Sequence, residues 1–169
     1  FSKYRLSEAL MAVYKLFWDE FSSWYLEMIK PAYGQGIHSS IHSAAISYFD
    51  NLLHLLHPFM PFITEELWQQ MYEREEGECL MVCPLTINTY VDADTIRQFE
   101  VVKEVISNIR SIRLQKNIAQ KEPLTLQVVG ENPVAEFSAV ILKMCNLTAI
   151  DVVDAKTEGA ASFMVGTTE

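Results

Sequence analysis

The sequence predicts a mainly α protein: an antiparallel helical bundle followed by a small α+β subdomain of β-α-β-β order. Three observations point there. Long apolar stripes at helical spacing fill most of residues 1–71, and another covers 95–116. Past residue 123 the apolar period drops from 3.6 to 2. Helices first and a mixed stretch after reads as a bundle at 1–94, then a connecting helix plus subdomain at 95–169. With 169 residues, half of them apolar, the chain can bury a real core.

The first helix is expected over residues 1–30. Leu10, Tyr14, Phe17, Phe21, Trp24 and Met28 recur every three or four positions, and Trp18, Tyr25 and Ile29 widen the stripe. So broad an apolar surface predicts a largely buried helix. Pro31 and the two glycines of KPAYGQG stop it. A second helix is predicted over 39–56, with Ile41, Ala45, Phe49, Leu52 and Leu56 inward.

HPFMPFITEELWQQ (57–70) then raises the question of a broken helix, a new helix or a site. Pro58 should push His57 out of the α region and end one helix. Pro61 suits the first turn of the next, whose period resumes at Ile63, Leu67 and Met71. Phe59, Met60 and Phe62 are expected to plug the corner. Glu65 and Glu66 read as solvated residues near the helix start, since adjacent helical residues point about 100° apart and share no site.

After the acidic loop EREEGE, LMVCPLT reads as a short extended piece leading to a polar linker. Phe99, Val102, Ile106, Ile109 and Ile112 make a helix of 95–116. LTLQVV (124–129), AIDVVD (149–154) and ASFMV (161–165) read as strands, with a helix over 133–144 between the first two.

Chemistry is sparse. Cys79, Cys83 and Cys145 fit no zinc spacing and read as reduced, buried thiols of a cytoplasmic chain. The pairs His38/His42 and His54/His57 lack an HExxH setting, and no GxGxxG or GxxxxGK[ST] loop exists. No apolar run nears the roughly 20 residues of a membrane span, and no signal peptide is visible. The missing initiator Met and the periodic start at residue 1 read as a piece of a longer protein.

Net charge is −9, which by itself disfavours nucleic acid. The charge is uneven, however. Residues 1–95 carry 5 basic and 13 acidic side chains, net −8, whereas residues 97–121 carry 6 and 2, net +4. A local basic strip can meet phosphates because fields screen out over about 10 Å.

At this point the motifs resemble a known family. FWDEFSSWYLEMIKP (17–31), LLHLLHPFMPFITEELWQ (52–69) and VISNIRSIRLQKNIAQKEPL (105–124) are similar, in order and spacing, to the anticodon-binding bundle of class I aminoacyl-tRNA synthetases. WDEF, WYLEMIKP and LHPFMPFITEELW look distinctly valyl within that class. Two places depart: Ser22-Ser23 stands where the family often has Cys-Asp, and Leu114-Gln115 where Ala-Glu is common.

The resemblance implies an RNA-docking region without catalytic residues of its own. Its parent would join valine to tRNA with ATP and Mg, bound in a catalytic domain outside this chain. The implied partners are the valine tRNA anticodon stem-loop, that catalytic domain and a C-terminal coiled coil. Tyr4 and Arg5 at the bundle entrance, Lys30 at a helix end, and Arg110, Arg113 and Lys116 on one basic face are the candidate RNA contacts. Aromatics would stack on splayed bases and cations would meet phosphates. The competing readings are an isoleucyl-type domain, a protein-protein scaffold and a histidine-based metal hydrolase.

Overall fold

The computed structural model describes residues 2–85 and 90–166; residues 1, 86–89 and 167–169 lie outside the described residues, among them the last residue of the predicted LMVCPLT piece and the start of the predicted linker. The chain is mostly helical with a small two-stranded parallel sheet. It divides into two compact units, Phe1–Thr89 and Tyr90–Glu169.

Among the described residues, the first unit holds three helices. Helix α1 covers residues 6–29 and changes winding on the way: Leu6–Lys15 is α-helical, Leu16–Tyr25 is π-helical and Leu26–Ile29 is α-helical again. In the π-wound part the backbone N–H of Leu26 donates to Phe21 O, and the Ser23 hydroxyl donates to Trp18 O at 2.8 Å. Such winding is rare. It also breaks the 3.6 period on which the predicted stripe depended. Phe21 is the one buried residue of α1, while Tyr14 and Trp18 stack on each other at the surface, Trp18 54% exposed. The expectation of a largely buried helix is therefore corrected: α1 keeps much of its apolar surface outside. It ends where expected, because Lys30 precedes Pro31 and adopts ψ 120. Ala32–Gln35 then closes a turn with Gly34 at φ +79.

Helix α2 is Ser39–Leu56, opened by the His38 ring accepting from the Ser40 N–H. Phe49 packs against Phe17 and Phe21 of α1, and Tyr25 meets Tyr48 edge-on. Leu52, Leu53 and Leu56 are its buried residues; Ile41 is exposed, against expectation. His57 stays in the α region (φ −53, ψ −41), with its N–H on Leu53 O. The expectation that Pro58 pushes His57 out of the α region is thus corrected, although the helix does end at Leu56.

Helix α3 is Pro61–Met71, with Pro61 in its first turn. Its buried residues are Thr64 and Trp68, with Leu67 and Met71 half-buried and Ile63 exposed. Leu53, Trp68 and Leu80 form one buried cluster of the unit, and Arg74 lies 3.5 Å over the Trp68 ring. Leu80–Val82 makes a 3-10 turn where an extended piece was predicted. Glu65 accounts for the placement of that turn: its carboxylate accepts from the Leu80 N–H at 2.9 Å and from Gln69 Nε2 at 2.8 Å. It is a loop anchor, not a solvated helix-start residue.

The second unit opens with α4, Ala93–Gln115, capped by Asp92, whose carboxylate accepts from the Asp94 and Thr95 N–H groups. Those bonds hold the Asp92 carboxyl below its ordinary value. Val102, Val105, Ile106 and Ile109 form the inner face. Asn117 at φ +54 ends α4, with the Ile118 N–H donating to Arg113 O, a Schellman closure. Strand β1 (Leu124–Val129), a 3-10 turn (Ala135–Phe137), helix α5 (Ser138–Cys145) and strand β2 (Leu147–Val153) follow. β1 and β2 pair in parallel from Thr125↔Ala149 to Val129↔Val153. The predicted third strand at 161–165 is corrected to a single bridge at Val165, which buries that side chain without joining a ladder.

Candidate nucleic-acid interface

Tyr4 and Arg5 sit where α1 begins. Tyr4 is 91% exposed and holds φ +55, unusual for a residue with a side chain. Arg5 occupies the N-cap position and pairs with Glu8 at 3.0 Å on the surface. Lys30, exposed and 3.5 Å from Glu27, lies at the far end of the same helix. At about 1.5 Å per residue the two ends stand roughly 35 Å apart. The structure therefore brings Tyr4 and Arg5 together and leaves Lys30 elsewhere.

The three cations of α4 do not form one exposed face, and this corrects the sequence expectation. Arg113 is 1% exposed. Its Nη1 donates to Ala119 O at 2.9 Å, and its Nη2 donates to Cys145 O at 2.9 Å and Asn146 O at 3.3 Å. The guanidinium thus ties the turn after α4 to the end of α5. Arg110 and Lys116 are exposed, about 60° of helix rotation to either side of the buried Arg113. Elsewhere on the strip, Lys103 meets Glu100 at 2.7 Å and Arg97 pairs with Asp94. Much of the +4 charge is thereby spent locally.

His54, His57 and the thiol of Cys145 are likewise engaged within the fold, with His54 Nε2 buried and unpartnered among the described residues. His54 lies beside Asp50, with Nδ1 3.6 Å from a carboxylate oxygen. His57 Nδ1 is 2.8 Å from Thr64 Oγ1, which itself donates to Met60 O at 2.8 Å. The Thr64 hydroxyl therefore links the His57 ring to the backbone of the corner. Cys145 is enclosed, and burial pushes its thiol up to about 11.

Besides Tyr14 and Trp18, Phe62 also departs from the sequence reading. Phe62, expected to plug the corner, is 90% exposed. The available signal was its place directly after a first-turn proline, where a side chain reaches back past the helix end.

A family profile described as the anticodon-binding domain of tRNA ligase matches residues 1–129. The chain belongs to this family. The match takes in the whole first unit, α4 and β1. Among similar proteins, a valine–tRNA ligase of Bacteroides thetaiotaomicron is 80% identical across all of this chain, and one of Phocaeicola vulgatus 69%. A valine–tRNA ligase of Enterococcus faecalis is 34% identical over 86% of the chain. The chain spans about a fifth of the length of these relatives (20%, 19% and 18%). For a member of the anticodon-binding family, an interface of surface aromatics and scattered cations on rigid helices is the expected apparatus.

Proposed function

We propose that this chain is the anticodon-docking region of a valine–tRNA ligase and binds the anticodon stem-loop of valine tRNA. The observation that carries the proposal is identity to valine–tRNA ligases across the entire chain, 80% and 69% in two cases. On this reading the parent enzyme, in the cytoplasm, joins valine to tRNA with ATP and Mg at a catalytic domain elsewhere in its length. This chain orients the tRNA. Helices α1 and α2, joined by a nine-residue connection and packed through Phe17, Phe21 and Phe49, serve as neighbours of an antiparallel bundle. The catalytic domain and a coiled coil are its partners within the enzyme.

Physical chemistry supports the assignment in kind. Exposed aromatics at helix starts suit unpaired bases, and Arg5, Arg110 and Lys116 suit phosphates. The net charge of −9 limits non-specific attraction to RNA, so contact should be local and selective.

The test is a binding titration of the chain against valine tRNA and an anticodon-swapped version, at several salt concentrations. Anticodon-dependent affinity that weakens with salt is the expected result. Equal affinity for both RNAs reduces the chain to a generic RNA binder, and no affinity at low salt removes the proposal.

A further inference from the structure

We draw no further inference here: the strongest candidate, the apolar cleft of the second unit between α4, β1 and residues 156–165, carries nothing, because the chain spans about a fifth of its relatives' length and nothing in the structure shows what covers that cleft.

Discussion

Arg113 Nη2 donates to the carbonyl oxygen of Cys145 at 2.9 Å, a buried hydrogen bond spanning 32 residues of sequence. Together with the bonds to Ala119 and Asn146 it makes one side chain the clasp between α4, the turn that follows it and α5. The planar guanidinium is what allows this, since it aims several N–H groups along fixed directions. A lysine ammonium, a point charge on a flexible stem, cannot reproduce the three contacts.

Arg113→Ala should therefore destabilise the second unit by about 2–4 kcal/mol, with Arg113→Lys recovering little of it. The two units can be watched separately. All three tryptophans, Trp18, Trp24 and Trp68, belong to the first unit, so tryptophan emission during urea unfolding reports that unit alone. Amide exchange across 124–153 reports the other. The expected outcome is faster exchange in β1, α5 and β2; a drop confined to the tryptophan transition would contradict the clasp.

This arginine also marks where sequence reasoning stopped. Residues 39–56 and 124–129 matched their predicted spans because capping, proline and β-branched signals there act locally. The family motifs were legible for the same reason, as short strings with fixed spacing. Arg113 was not, since whether an arginine points outward depends on carbonyls of a helix thirty residues away. Phe62 failed in the other direction: apolar character predicted burial, and the ring is 90% exposed among the described residues. The π-wound stretch of α1 defeated the 3.6 period itself, because a stripe counted at α spacing cannot stay on one side of a helix that changes its winding.

At the corner, Thr64→Val should cost about 1–2 kcal/mol in the first unit. The methyl group that replaces the hydroxyl keeps the volume but leaves His57 Nδ1 without its hydroxyl partner and removes one of the two hydrogen bonds that Met60 O accepts. Thr64→Ser, which keeps the hydroxyl, should stay close to wild type. Urea midpoints followed by tryptophan emission distinguish the two variants, and equal losses would mean that packing dominates.

Cys145 should resist thiol reagents. Its thiol is held up to about 11 by burial, against attraction from Arg110 and Arg113 that works the other way. Burial favours the neutral thiol, so the stability it represents is complete below the unfolded pKa and is lost as pH rises through about 11. Between pH 7 and 9 Cys145 should react far more slowly than half-buried Cys79 and Cys83, and urea should abolish the difference. Mass-resolved alkylation measures this directly; equal labelling of all three in the folded chain would refute it.

The last prediction separates the surface cations from the buried one. Arg110 and Lys116 are exposed on α4, and Arg113 between them is enclosed. If α4 contacts RNA phosphates, Arg110→Gln and Lys116→Gln should each weaken tRNA binding and lower the slope of log affinity against log salt by roughly 1. Arg113 offers no proton to solvent-side phosphate, so Arg113→Lys should leave that slope unchanged even as it destabilises the fold. At the start of α1, Arg5→Gln should behave like the α4 surface variants, whereas Tyr4→Ala should reduce affinity with little change in slope, because stacking releases no counterions. The measurement is one set of titrations at four or more salt concentrations for all five variants. A slope that moves for Arg113→Lys but not for Arg110→Gln or Lys116→Gln would show that the interface does not use the outer face of α4.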